Sequence, residues 1–221
     1  MNKKSILKIS FLNQDYGKGQ EIINSITHGI GAILSIVGLI MLLYISIEKE
    51  DIWRIVSFAI YGTTLVFLYV SSTIYHSVTD KRKKYIFRIL DHIAIYLLIA
   101  GSYTPLTLVL LRGSLGWIIF GVVWLIALAG IFMKIFFFSK TKILSMILYI
   151  IMGWLIVVVT KPIISILPTG ILYLLIVGGL CYSLGIIFYI TPKIPYNHTI
   201  WHIFVLAGSF THFLGYYFFL A

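Results

Sequence analysis

The chain has 221 residues, of which 60% are hydrophobic and only 11% charged, with a formal net charge of +10. A soluble domain carries about 25% charged residues, so this composition, with a mean hydropathy of +1.03, excludes a soluble fold and calls for a bilayer. The length suits one helical bundle with short connections and leaves no room for a second, soluble domain.

The first twenty residues hold four lysines but no unbroken apolar stretch, because Lys8, Asn13, Gln14 and Asp15 interrupt it, so they do not read as a signal peptide. Residues 1–25 are expected to form a cytoplasmic N-terminal segment, followed by a transmembrane domain over 26–220. Within it, apolar runs predict seven spans: 26–46, 54–77, 86–110, 115–135, 142–161, 168–190 and 198–220. Each has close to the roughly 20 residues that cross a bilayer. Pro162, Pro168, Pro192 and Pro195 fall in the breaks, whereas Pro105 falls inside the third span and predicts a kink. Gly38, Gly62, Gly101, Gly130, Gly153, Gly178 and Gly185 are spread along the spans and read as points of close helix packing. The lone Cys181, within an apolar run, reads as a buried, inert thiol.

The connections carry a charge asymmetry. Thirteen Lys and Arg fall on the side of the N-terminus, including Lys81–Lys84, Arg88, Lys134, Lys140, Lys142 and Lys193. Only Lys49, Arg54, Arg112 and Lys161 fall on the other. The positive-inside rule therefore predicts an all-α, seven-helix membrane bundle with a cytoplasmic N-terminus. The basic charge is a topology signal that suits anionic lipid headgroups, and no nucleic-acid partner is needed to explain it.

Ionisable groups inside a membrane are costly and usually functional. In chain order, Glu21, Asn24 and His28 share one face of the first span. Ser72 and His76 sit one turn apart at the end of the second, and Asp91-His92 opens the third. The seventh begins with Asn197, His198 and His202, with His212 deeper. The predicted topology brings all but His212 to the cytoplasmic ends of four helices. His198-x3-His202 is a spacing that lets two imidazoles share a metal. With His76 added, three nitrogens and an open position make the arrangement of a catalytic zinc site. Asp91 is then placed to accept a proton from water, and Ser72 to orient a ligand or substrate. The residues also allow plainer roles. Ser72 can bond the preceding turn, Asp91 can pair with Arg88, and Glu21 can be a helix-start acid. His92 and His212 read as packing or supporting residues.

Ser72-x3-His76, Asp91 within Leu-Asp-His-Ile-Ala-Ile-Tyr-Leu-Leu-Ile-Ala-Gly-Ser-Tyr-Thr-Pro-Leu, His198-x3-His202 and Glu21-x2-Asn24-x3-His28 together resemble the motifs of the hemolysin III family. That family is the bacterial branch of the progestin and adipoQ receptors and is related to the alkaline ceramidases. The resemblance covers essentially the whole chain. It implies a seven-helix bundle with zinc near the cytoplasmic side, held by His76, His198 and His202, with water near Asp91 and Ser72 beside it. The expected function is a zinc-dependent hydrolase of a lipid amide or ester in the cell membrane, its partner a membrane lipid. The alternatives are a non-enzymatic sensor of membrane state with a structural zinc, or a pore-forming cytolysin. A pore needs a polar path across the membrane, and here the polar residues crowd towards one face.

Overall fold

The structure, a computed structural model, describes residues 16–159 and 167–221. Lys3, Lys4, Lys8, Asn13, Gln14, Asp15, Lys161 and Pro162 lie outside the described residues. Those described form seven α-helices and no strand: α1 (Lys18–Glu48), α2 (Ile52–Ser77), α3 (Lys81–Pro105), α4 (Ser114–Phe137), α5 (Lys142–Trp154), α6 (Thr169–Tyr189) and α7 (Asn197–Phe219). Five of them, α1 to α4 and α6, are long and apolar enough to cross a membrane. The chain is an integral membrane protein.

The bundle is built inside out relative to a soluble one. On α1 the buried residues are Asn24, His28, Gly31, Ser35, Gly38, Leu42 and Ser46, a stripe at intervals of three and four. Ile26, Ile30, Ile33, Val37 and Ile40 are exposed. Water would not tolerate so large an apolar face, whereas lipid solvates it. The small and polar stripe lets backbones approach and supplies hydrogen bonds.

Neighbouring helices run antiparallel. Gly101 of α3 faces Thr64 of α2, and Gly130 of α4 faces Tyr96 of α3, each so closely that a Cβ would collide with its neighbour. Gly153 differs: nothing lies where its Cβ would be, and its carbonyl accepts the Tyr103 hydroxyl at 3.1 Å. Close packing explains the first two and not the third. α7 returns to lie parallel to α1, with Thr199 against Asn24, His202 against Thr27 and Phe213 against Gly38. α5 runs parallel to α3, its Tyr149 hydroxyl donating to the His92 carbonyl at 2.9 Å. The odd-numbered helices α1, α3, α5 and α7 thus begin at one end of the bundle, where α2 finishes.

Three departures from the predicted spans have local causes. α3 loses its α-register after Pro105, which lacks an N–H, and continues as a π turn over Leu106–Leu110. The fifth span holds only 13 α-helical residues before tightening into a 3-10 segment over Leu155–Val159. α7 is long enough to cross but less apolar, because it carries Asn197, His198, Thr199, His202, Ser209 and His212.

The far ends are held by charge. The Asp51 carboxylate caps α2 through the Trp53 and Arg54 N–H groups. Arg54 and Lys49 in turn donate to the Leu220 and Ala221 carbonyls, satisfying orphan acceptors at the end of α7.

Candidate metal centre

At the end where α1, α3 and α7 begin, three imidazoles converge. His76 comes from the last turn of α2, and His198 and His202 from the first two turns of α7. One ring nitrogen from each lies within 4.8 Å of the others, and all three side chains are buried. Their backbone placement is local chemistry. Tyr196 caps α7 in the left-handed conformation (φ 55°). The Asn197 side chain donates to the Phe188 carbonyl at 3.2 Å, so the first turn of α7 is pinned to the end of α6.

Hydrogen bonds at the outer nitrogens orient the rings. The Glu21 carboxylate lies 2.6 Å from His76 Nδ1, which places the proton there and leaves the Nε2 lone pair facing inward. The same carboxylate is paired with Lys84 at 2.9 Å. The Thr27 hydroxyl donates to the Asn24 carbonyl at 2.9 Å, so its oxygen is available to accept from His202 Nδ1, 3.3 Å away. Nε2 of His202 is thereby also left for the interior. Nε2 of His198 lies 3.2 Å from Nε2 of His76. Two nitrogens on a tetrahedral ion at roughly 2.0–2.1 Å would be separated by about 3.3–3.4 Å. The donor set and its spacing fit a metal ion.

The other sequence-predicted residues take distinct places. Asp91 and Ser72 line the same cavity as His198 and His202, with Asp91 beside Ser72 and within electrostatic reach of His76 and Arg88. Ser72 is fully buried, and its hydroxyl interacts with the Asp91 carboxylate. His28 stands outside the three-nitrogen group; it stacks on His202 with ring centres 3.5 Å apart and meets Tyr69 edge-on. Asn24 accepts the Thr199 hydroxyl at 2.5 Å, joining α1 to α7 beside the site. His92 donates from Nδ1 to the Arg88 carbonyl at 2.8 Å, and His212 lies 3.2 Å from the Leu175 carbonyl; neither reaches the cluster. Thr27, Tyr16 (stacked on His198, ring centres 4.6 Å apart) and Lys84 are contributors that the motif spacing did not reveal. The step Asn24–Thr27 is one helical turn, the signal by which Thr27 was within reach of a sequence reading.

A cavity of about 220 Å³ opens from this cluster into the bundle. Asp91, Ser72, His198 and His202 stand on its wall. Further on the walls are apolar, with Leu98, Ile99, Ile150, Leu172 and Ile176 among them. The space lies between α3, α5, α6 and α7, where α5 packs most sparsely.

Comparison with known proteins finds relatives along most of the chain. The chain is 49% identical over 190 residues to a Bacillus subtilis protein named Hemolysin-3 homolog, covering 86% of this chain and 89% of that one. It is 48% identical to Hemolysin-3 of Bacillus cereus, over 86% and 87% of the two chains. It is 31% identical over 196 residues to the human monocyte to macrophage differentiation factor, over 86% and 80%. The sequence profile described as Haemolysin-III related matches residues 16–213. This membrane protein, with three buried histidines able to hold a metal ion, belongs to the haemolysin-III-related family.

Proposed function

We propose that the protein is a zinc-dependent intramembrane hydrolase of a lipid amide or ester, acting in the cell membrane as a seven-span bundle with a cytoplasmic N-terminus. The observation that carries this reading is the meeting of three imidazoles with the Asp91–Ser72 pair on the wall of a largely apolar cavity. Zinc rather than another ion suits an all-imidazole set that leaves a fourth position open. When bound, it would polarise a carbonyl and make water a stronger acid.

The chain's own groups then have separate tasks. Asp91 takes the proton from the attacking water and returns it to the leaving group. Ser72 Oγ holds that water or the substrate carbonyl oxygen by hydrogen bonding. Glu21 and Thr27 hold His76 and His202 in their ligating orientation. The apolar walls accept an acyl chain and exclude bulk water from the reacting bond.

The relatives named Hemolysin-3 suggest a cytolysin instead. The largely apolar lining of the cavity disfavours a through-going pore, which needs a polar path. The test is lipid profiling of cells that express wild type, His202→Ala or Asp91→Asn. A lipid species consumed only by wild type is expected; identical profiles in all three, together with solute leak from vesicles containing the purified protein, would replace the hydrolase with the cytolysin.

A further inference from the structure

Lys134 and Lys142 read from sequence as charges of a cytoplasmic connection. Both are buried, at 1% and 8% exposure, and both line the cavity, whereas Lys140 between them is exposed. A lysine that serves only topology reaches outward to headgroups and water. Turning Lys134 into a largely apolar cavity is costly unless negative charge joins it there.

Arg88 completes the group. Its guanidinium carbon and Lys134 Nζ lie 5.5 and 5.1 Å from the centre of the Phe138 ring. Lys142 Nζ lies 5.2 Å from the centre of Tyr189, whose hydroxyl faces His92 Nε2 at 3.5 Å. The three cations are close enough to act on one another electrostatically. Among the described residues lining the cavity, Asp91 is the single acid; it faces His76, Ser72 and Arg88, so one carboxylate stands against three cations. No carboxylate among the described residues pairs with Lys134. The cluster adjoins the metal centre, since Tyr189 also lies 5.8 Å from the His198 ring.

We propose that Arg88, Lys134 and Lys142 form a subsite for a phosphate-class anion, borne by an amphiphile whose chains fill the apolar remainder of the cavity. An arginine fork beside two ammonium groups matches a tetrahedral, multiply charged oxyanion. The surrounding low dielectric strengthens each contact. The identification of that amphiphile with the hydrolysed lipid rests on the proposed function; the anion subsite does not.

The test uses the full-length protein in neutral detergent, with dioctanoyl phosphatidic acid, dioctanoylglycerol and inorganic phosphate as probes, and affinities from native mass spectrometry and thermal shift. Wild type is expected to bind the phosphatidic acid at least about tenfold more tightly than the uncharged glyceride, the order expected of one charge-assisted contact. Lys134→Met with Lys142→Met should abolish that preference while glyceride binding stays. Lys81→Gln with Lys83→Gln, which alters exposed lysines, should keep it. Equal phosphatidic acid affinity in the Lys134/Lys142 double variant and wild type would overturn the subsite. Inorganic phosphate bound as tightly as the lipid would overturn the amphiphile as its source. Should the double variant not fold, Lys134→Met alone decides. An unchanged or higher melting temperature without lipid, with a smaller lipid-induced shift, supports the subsite, and unfolding without lipid overturns it. Wild type that keeps the preference but hydrolyses no lipid removes the hydrolase and leaves the subsite. Hydrolysis that persists with no preference does the reverse.

Discussion

The carboxylate of Glu21, near the start of the first helix, lies 2.6 Å from Nδ1 of His76, at the end of the second. This contact ties the ring's proton to its outer nitrogen and turns the other towards His198, 3.2 Å away. Carboxylate partners of ligating histidines typically contribute about 10- to 100-fold to metal affinity. Glu21→Gln is therefore expected to weaken zinc by that order in a competitive chelator titration. Lys84→Met, which removes only the carboxylate's second partner, should have a smaller effect. Unchanged affinity in Glu21→Gln would remove Glu21 from the site.

Purified protein should carry about one zinc per chain, as a three-imidazole site requires. His76→Ala, His198→Ala and His202→Ala should each lower occupancy sharply when measured by elemental analysis. His92→Ala and His212→Ala should leave it near wild type, because their rings bond to the Arg88 and Leu175 carbonyls instead. Equal metal content in all five variants would dismiss the assignment.

Asp91→Asn separates chemistry from support. The amide keeps the size of the side chain but cannot take a proton. Zinc content and melting temperature should hold, while turnover of the lipid substrate drops by about 10²- to 10⁴-fold, the usual contribution of a general base. Full turnover in zinc-loaded Asp91→Asn would end that role.

The parts of the molecule legible in its sequence were those written as long-range pattern. Apolar runs marked the helices, because lipid demands an unbroken apolar surface. His198-x3-His202 and His76 stood out because ionisable groups are rare in such runs. The burial of Lys134 and Lys142 was not legible, because a charge count is the same whether an ammonium faces water or a cavity. α5 came out shorter than its apolar run since composition records hydropathy and not the tightening of a turn. Thr27 was missed for a different reason: a threonine in a span usually bonds its own helix, as this one also does to Asn24, and only the return of α7 alongside α1 gives its oxygen a second partner.

Orientation is open to a direct check. Thirteen Lys and Arg on one side against four on the other predict a cytoplasmic N-terminus. A reporter fused after Ala221 should lie outside the cytoplasm, and one inserted between Lys81 and Lys84 should lie inside. Both on the same side would break the seven-span arrangement.

Asp51 offers a pH-dependent test of the opposite end. Burial acts to raise its pKa, but the Trp53 and Arg54 N–H groups and the Arg54 side chain outweigh it and hold the carboxyl below its ordinary range. A depressed pKa contributes stability above the unfolded value, about 3.9, and that contribution is lost as the pH falls through the lower folded value. Asp51→Ala should cost about 1 kcal/mol at neutral pH, the usual worth of a helix cap. The gap from wild type, followed by thermal denaturation, should close towards acid; a gap independent of pH would contradict the capping account.

His76 and His198 are separated by 122 positions along the chain. At a synthesis rate of about 5–20 residues per second, α2 emerges on the order of ten seconds before α7. Through that interval His76 has Glu21, Tyr16 and Tyr75, made before it, but neither of the other two imidazoles. The centre therefore closes last, when α7 slides in beside α1 and delivers two of the three rings together. A ribosome stalled ahead of His198 leaves a chain that has most of its helices and one ligand. The three-imidazole cluster therefore exists only once biosynthesis has run through to the seventh helix.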